Sequence, residues 1–164
     1  MKLVLMRHGR AQPDAPEGDS RRTLTTAGRE DVRSVSRQLD EMGLRTGLAL
    51  VSPSVRTRET FDVAVEASPG LYRGGDANAH YPDALYNASV EDVLDVLGEA
   101  EADPVLLVGH NPSVSALLLF LLPEGNVPSL SMKPAETVVL EMPSLDRGGA
   151  SLVAYVRPDE EKEA

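Results

Sequence analysis

Short apolar runs alternate with segments of helical period along this chain, and this alternation constrains the fold more than any other feature. Residues 2–6, 47–51 and 104–109 are apolar runs of strand length that end abruptly in polar residues or glycine. Such runs are typical of strands buried within a sheet. Strands that alternate with helices favour an α/β fold, in which helices cover a layered sheet.

Four segments predict the helices, because their apolar residues recur three and four positions apart. These helices begin at Thr25 or Thr26, near Pro53, at Ser89 and near Asn111. Residues 10–24 and 68–78 are rich in proline, glycine and polar residues and predict loops. Residues 137–142 and 151–156 predict two final strands that pair as a hairpin.

Length and composition exclude several classes of protein. A chain of 164 residues fits one domain, which we assign to residues 1–157, followed by an acidic tail over residues 158–164. A net charge of −10 argues against nucleic-acid and anionic membrane partners, and the lack of cysteine excludes disulfides and thiol catalysis. No apolar run approaches the ~20 residues that span a bilayer, and no signal peptide is recognisable, so we expect a cytoplasmic protein.

Charge is distributed unevenly along this acidic chain. Residues 1–58 contain eleven basic and seven acidic residues, whereas the remainder contains five basic and nineteen acidic residues. Uneven scatter of charge is common in short chains and accounts for the difference without any function. The alternative is that the first third builds a cationic pocket for a small anion.

Two histidines follow predicted strands directly, at the places where ligands bind in open α/β sheets. His8 comes after the first strand and is followed by Gly9, while His110 comes after the strand at residues 104–109. Glycine allows backbone N–H groups and a substrate to approach closely, so Gly9 is a candidate phosphate-binding residue. A single histidine in such a place is also common as a packing residue, and His80, in a polar stretch, is interpreted as a surface residue.

The residues around His8 suit phosphoryl transfer. A neutral imidazole is a competent nucleophile, and the arginine fork matches two oxygens of a phosphoryl group. Arg7 is adjacent to His8, Arg56 lies in the first turn of the second helix, and Arg22 lies just before the first. Each arginine taken singly is equally consistent with a solvated surface charge. Together they predict one nucleophile within a ring of donors.

Four motifs, kept in order and at element boundaries, resemble those of the histidine phosphatase (phosphoglycerate mutase-like) superfamily, and most of all its SixA-type phosphohistidine phosphatase branch. They are Arg7-His8-Gly9, Arg22-Thr23-Leu24-Thr25-Thr26-Ala27-Gly28, Ser52-Pro53-x-x-Arg56-x-x-x-Thr60 and Gly109-His110-Asn111-Pro112. The similarity runs from residue 2 to about residue 122.

The resemblance implies a three-layer α/β/α sandwich with a mostly parallel central sheet, and phosphoryl transfer that requires neither metal nor cofactor. It implies that His8 is the nucleophile and becomes transiently phosphorylated. The side chains that would hold the phosphoryl oxygens are Arg7, Arg22, Arg56 and His110. We expect His110 to act by N–H donation, because neighbouring arginines oppose its protonation.

The resemblance also bears on the choice of a general acid. Family members that cleave phosphate monoesters protonate the leaving oxygen with a carboxylic acid, and Asp83, after Pro82, is the best-placed candidate. An Asp after proline is also ordinary turn chemistry. Without a dedicated acid, a site of this kind favours N–P over O–P bonds, because an imidazole leaving group is protonated more readily than an ester oxygen.

Four functional hypotheses therefore stand. The leading one is a phosphatase for phosphohistidine on proteins, with an open site that admits a protein side chain. The alternatives are a phosphatase for a small phosphorylated metabolite, a catalytically silent phosphate-binding module, and a zinc hydrolase that uses His8, His80 and His110. The zinc hypothesis lacks close pairs such as His-x-x-x-His.

Overall fold

A six-stranded sheet with helices on both faces forms the centre of the computed structural model, which describes residues 1–129 and 131–159. The strands are β1 (Lys2–Arg7), β2 (Leu48–Val51), β3 (Ala79–His80), β4 (Val105–Gly109), β5 (Thr137–Glu141) and β6 (Ser151–Val156). The α-helices are α1 (Thr26–Glu41), α2 (Val55–Ala67), α3 (Val90–Gly98) and α4 (Ser113–Leu121). Single 3-10 turns occur at Asp19–Arg21, Asp76–Asn78 and Asp83–Leu85.

The strand order is β3-β2-β4-β1-β5-β6. The first four of these strands are parallel, and β5 and β6 form an antiparallel hairpin at one edge. The mostly parallel sheet and the terminal hairpin are therefore confirmed. Strand β3 was not predicted, because two residues are too few to produce an apolar pattern.

Two apolar layers separate the sheet from its helices and account for the continuous apolar runs of the central strands. Leu3 and Leu5 of β1 pack with α3 and α4, whereas Val4 and Met6 pack with α1 and α2 on the other face. All four side chains are fully buried. The three-layer α/β/α arrangement is thus built by alternation of side chains along strands that are buried on both faces.

The helix starts follow the predicted caps, with small shifts. Thr25 caps α1 by accepting a hydrogen bond from the N–H of Gly28 at 2.9 Å, and Ser89 forms a capping box with Asp92 at the start of α3. Helix α2 begins two residues later than predicted, because Ser54 is its cap. Helix α4 likewise begins at Ser113 rather than near Asn111.

Strand register brings the predicted site residues to one edge of the sheet. Arg7 at the end of β1 lies opposite Gly109 at the end of β4, and Val51 at the end of β2 lies opposite Val108. The residues that follow these strands therefore leave the sheet side by side.

Among the described helices, none is both long enough and apolar enough to cross a membrane. The described part of the predicted tail lies beside α1, where the N–H of Asp159 donates to Oγ of Ser34 at 2.8 Å. Residues 160–164 of that tail lie outside the described residues. The domain boundary at residue 157 stays a prediction.

Candidate active site

The two strand-end histidines lie against each other. The ring centroids of His8 and His110 are 5.4 Å apart with an interplanar angle of 64°, and each residue is only 8% exposed. This contact follows from the strand register, because β1 and β4 are parallel neighbours that end at the same level. The sequence prediction that both histidines reach one place is consistent with this geometry.

The ring of His8 is held by a hydrogen bond at Nδ1, and no described residue forms a hydrogen bond with Nε2. Its Nδ1 lies 2.7 Å from the carbonyl oxygen of Gly9. A carbonyl oxygen only accepts hydrogen bonds, so Nδ1 carries the proton and Nε2 carries the lone pair. Burial, together with the nearby arginines, lowers the pKa of His8 to about 4, against a partial opposing effect of the Gly9 hydrogen bond. The ring is therefore neutral at pH 7, with Nε2 available as a nucleophile.

His110 is held through the opposite nitrogen. Its Nε2 lies 2.6 Å from Oγ of Ser52, a residue that follows β2. Burial lowers the pKa of His110 to about 3, and repulsion from His8 and Arg56 acts in the same direction. The prediction that His110 acts as a neutral donor agrees with this environment.

Arg7 and Arg56 approach the histidines from fixed elements. Nη1 of Arg7 donates to the carbonyl of Met132 at 2.8 Å, which orients the guanidinium at the end of β1. Arg56 lies in the first turn of α2, and its side chain is 6% exposed. Among the described residues, the Nε atoms of these two arginines are the buried side-chain polar atoms that have no hydrogen-bond partner.

An acidic residue that the sequence analysis missed joins the arginines. Asp19 accepts from Nη2 of Arg56 at 3.1 Å through Oδ2 and from Nε of Arg22 at 3.0 Å through Oδ1. The hydroxyl of Tyr86 also donates to Oδ2, at 2.5 Å. That hydrogen bond, together with Arg56 and Arg22, lowers the pKa of Asp19 to about 2, so the carboxylate is ionised throughout the neutral range.

Tyr86 is the second residue that the sequence analysis missed. The edge of its ring meets His110, with the centroids 5.7 Å apart and the ring planes at 80°. The hydroxyl of Tyr86 lies 67 residues along the chain from its partner Asp19, so no local pattern connects them. The only local signal was for Asp19, which precedes Arg22 by three residues in the same loop.

The histidines and arginines line one open cavity of about 610 Å³. Its lining residues are Arg7, His8, Arg10, Ala11, Arg22, Thr25, Ala27, Arg56, His110, Asn111 and Pro134. Arg10 is paired with Asp31 at 2.8 Å, and of the remaining lining arginines, Arg22 and Arg56 pair with the carboxylate of Asp19 whereas Arg7 does not. With neutral histidines, the formal charge at the cavity is about +2, which suits a dianion.

A phosphate-binding role for Gly9 stays a prediction, and the contacts of its backbone N–H do not support that role. Its backbone N–H donates to Oγ1 of Thr60 at 3.1 Å and is not free for a ligand. A Cβ at this position would lie 2.9 Å from the carbonyl oxygen of Gly28, so glycine is required for close packing against α1. Thr60 in turn donates to the carbonyl of Arg56 at 2.7 Å, which explains its place in the motif.

Asp83 lies away from the cavity lining. It begins a 3-10 turn, and its backbone carbonyl accepts from the N–H of Tyr86 at 3.0 Å, whereas its side chain is exposed and accepts no hydrogen bond from a described residue. Three residues further along, Tyr86 reaches the site instead. A role for Asp83 as general acid stays a prediction, and its placement does not support that role.

The three histidines do not come together. His80 lies on the edge strand β3, is exposed and lines a different cavity, together with residues of β2 and the end of α3. Within residues 1–129 and 131–159 there is no group of three or more His, Cys, Asp or Glu side chains placed to hold a metal ion. The zinc hypothesis required all three histidines at one place, and this geometry contradicts it.

Sequence comparison identifies related proteins across most of the chain. No protein-family model matches it. It is 29% identical over 152 residues to phosphohistidine phosphatase SixA of Escherichia coli strain K12, with 86% of each chain covered. It is 30% identical over 122 residues to an uncharacterized protein of Picosynechococcus sp., which covers 70% of this chain and 68% of that protein.

Solved structures share the whole fold. A SixA protein from Agrobacterium tumefaciens is 28% identical, with a TM-score of 0.81 over 96% of this chain and 97% of its own. The protein histidine phosphatase SixA in complex with tungstate is 24% identical, with a TM-score of 0.79 and the same coverage. The second of these supports the fold alone, and the first supports both the fold and a common family.

Proposed function

The chain belongs to the SixA-like branch of the histidine phosphatase superfamily, and we propose that it hydrolyses phosphohistidine on proteins through a covalent intermediate on His8. One observation carries this proposal. His8 is neutral, its Nδ1 proton is held by the Gly9 carbonyl, and it lines a cavity with Arg7, Arg22 and Arg56. This is the arrangement that a nitrogen nucleophile for phosphoryl transfer requires.

The first step transfers the phosphoryl group to the enzyme. The lone pair on Nε2 of His8 attacks phosphorus, and a new N–P bond forms while the N–P bond of the substrate breaks. The departing electron pair leaves on the substrate imidazole, which takes up a proton from solvent. The guanidinium groups of Arg7, Arg22 and Arg56 stabilise the charge on the three equatorial oxygens.

The second step regenerates the enzyme. Water attacks phosphorus, the N–P bond to His8 breaks, and its electron pair returns to Nε2. One proton of the water passes to solvent, the other stays on the transferred group, and the product is hydrogen phosphate. The proton on Nδ1 of His8 stays hydrogen-bonded to the Gly9 carbonyl throughout. Nε2 is therefore the atom that attacks phosphorus and is released again in every turnover.

Charge at the cavity supports a dianionic substrate group without a metal ion. Three guanidinium groups supply the positive charge that metal ions supply in many phosphatases. Asp19 offsets one of them and occupies donors of Arg22 and Arg56 while no phosphoryl group is bound. An incoming phosphoryl oxygen competes with this carboxylate for the same N–H groups, and release of phosphate lets the carboxylate return.

The site is better suited to cleave the N–P bond of a phosphoramidate than the O–P bond of an ester. Imidazole accepts a proton near neutral pH, whereas an alkoxide needs a proton from a strong donor during bond cleavage. Of the carboxylates near the cavity, Asp19 is ionised, with a pKa of about 2, and Asp83 is exposed outside the lining. The absence of a protonated carboxyl among the lining residues therefore supports N–P cleavage.

The test compares substrates side by side. We expect hydrolysis rates to decrease from a phosphohistidine-bearing protein to phosphoramidate and then to phosphomonoesters. His8→Ala is expected to reduce the rate on every substrate by at least about 10³-fold, because the nucleophile is lost. His80→Ala is the matched control, since it removes an exposed histidine outside the cavity.

Other outcomes of these rate measurements would support one of the alternative functions. Faster turnover of a small phosphomonoester than of phosphohistidine would favour the metabolite phosphatase. Phosphate binding without turnover of any substrate would favour the silent binding module. Rates that fall on treatment with a chelator and recover with added metal would contradict the metal-independent mechanism.

A further inference from the structure

The two histidines are anchored by chemically different partners. The partner of His8 is a backbone carbonyl, which accepts hydrogen bonds only, and this alone fixes the proton on Nδ1. The partner of His110 is the hydroxyl of Ser52, which can either donate or accept. The tautomer of His110, and with it the nitrogen that presents an N–H to the cavity, therefore depends on where the hydroxyl proton of Ser52 lies.

The surroundings of Ser52 decide the direction of this hydrogen bond. Ser52 is 0% exposed, so water is not available to its hydroxyl. Among the described residues, the only hydrogen-bond partner of Oγ is Nε2 of His110, at 2.6 Å. If Nε2 carried the proton and donated it, the hydroxyl proton would be buried without an acceptor, which folded proteins avoid. The hydroxyl therefore donates to the Nε2 lone pair.

The backbone holds Ser52 at the level of the histidine. The N–H of Ser52 donates to the carbonyl of Val108 at 3.1 Å, which continues the parallel pairing of β2 with β4. Its carbonyl accepts from Oγ1 of Thr57 at 2.6 Å, in the first turn of α2. The backbone of Ser52 is thus held on both sides, which keeps its side chain within hydrogen-bond distance of His110.

We propose that Ser52 is a positioning residue that fixes His110 in the Nδ1–H tautomer and so aims that N–H at the phosphoryl group. Nδ1 has no hydrogen-bond partner among the described residues and is not one of the buried unpartnered atoms, so it is open to the cavity that His110 lines. The proposal rests on the proposed function only for the identity of the group that Nδ1–H meets.

The choice of tautomer matters because His110 is neutral at pH 7. An imidazolium would present N–H groups at both nitrogens, but a neutral ring has a single N–H, and only one of the two tautomers directs it to the cavity. Removal of the Ser52 hydroxyl leaves both tautomers accessible. A fraction of the molecules then presents a lone pair, rather than a proton, to the phosphoryl oxygen.

The direct test reads the tautomer without substrate. In the phosphate-free protein at neutral pH, ring ¹⁵N NMR of His110, assigned with His110→Gln, is expected to show a protonated Nδ1 and an unprotonated Nε2. His8 provides an internal reference, since the Gly9 carbonyl fixes the same tautomer by a different partner. A protonated Nε2 in His110 would overturn the proposal, and it would leave the proposed substrate untouched.

The second test reads the consequence for the reaction. With phosphoramidate as substrate, Ser52→Ala is expected to lower kcat about tenfold and to change KM less than about threefold, because a transition-state donor is misdirected in part of the population. The ring ¹⁵N signals of His110 are expected to shift toward a mixture of tautomers. Ser52→Thr, which keeps the hydroxyl, is expected to retain the Nδ1–H tautomer.

A matched control separates this role from loss of a buried hydroxyl in general. Ser36 is also 0% exposed, and its hydroxyl donates to the carbonyl of Val32 within α1, away from the cavity. Ser36→Ala is expected to leave kcat and the His110 signals unchanged. An unchanged kcat in a folded Ser52→Ala protein, or an unchanged tautomer, would contradict the proposal.

Discussion

The candidate site has two parts that differ in how they are held. Residues at the ends of strands, His8, His110 and Ser52, are fixed by the sheet and are buried. Residues from loops, Asp19 and Tyr86, meet through side-chain hydrogen bonds at an exposed rim. We infer a division of labour from this difference, in which the sheet would orient the reacting groups and the loops would set the charge and the release of the anion.

The largest effect expected in this comparison contrasts Arg56, buried at the start of α2 beside the strand ends, with Arg22 in the loop. Arg56→Ala is expected to lower kcat by about 10²- to 10³-fold, because a buried, oriented donor to the transition state is lost. Arg22→Ala is expected to lower kcat only about tenfold, since its side chain is 23% exposed and lies in the loop. Steady-state rates on phosphoramidate measure both. A larger loss in Arg22→Ala than in Arg56→Ala would contradict the division.

The strand-end histidines are also expected to make stability depend on pH. Their native pKa values, about 4 for His8 and about 3 for His110, lie below the usual 6.5, so the unfolded chain binds more protons as the pH falls below about 6.5. Stability is therefore fully present above pH 6.5 and decreases toward pH 4, by up to about 1.4 kcal/mol per pH unit for each histidine.

Urea unfolding between pH 7 and pH 4.5 measures this slope. His110→Gln is expected to remove about half of it, whereas His80→Gln, at an exposed position, is expected to leave it in place. A slope that persists in full in His110→Gln would mean that other groups dominate the pH dependence.

The smallest expected effect concerns the loop carboxylate. Asp19→Asn is expected to tighten binding of inorganic phosphate about tenfold at low salt, because the ionised carboxylate no longer competes for Arg22 and Arg56. The gain is expected to shrink as salt is raised. Asp14→Asn is the control, since Asp14 is an exposed carboxylate in the same loop with no ion pair among the described residues. Weaker phosphate binding in Asp19→Asn would show that the carboxylate orders the arginines rather than competing with phosphate.

The histidines at the strand ends of the candidate site could be predicted from the sequence. The pairing of Asp19 with Tyr86 in the loops could not. His8 and His110 were found because a buried strand leaves a continuous apolar run, and the residue after it is placed by backbone pairing alone. Asp19 and Tyr86 depend on side chains that meet across 67 residues of chain, and no local period encodes such a contact. Arg22 was found as a cation, but its partner was not.

The contacts of Gly9 were also hidden from the sequence. Glycine next to a histidine was interpreted as an opening for phosphate, whereas the missing Cβ makes room for the backbone of Gly28 in α1. The two uses of glycine are identical in sequence and are separated only by what packs against it. Strand order, too, required the structure, because each apolar run pairs equally well with any neighbour until the helices are placed.

The most direct measurement of the central claim is capture of the phosphorylated enzyme. Rapid acid-free quench of the protein with a phosphohistidine donor, followed by ³¹P NMR and peptide mass spectrometry, is expected to show one acid-labile phosphoryl group on Nε2 of His8. The same experiment on His8→Ala is expected to show none. Turnover by the native protein with no phosphoryl group on His8, or with the group on another residue, would contradict the account.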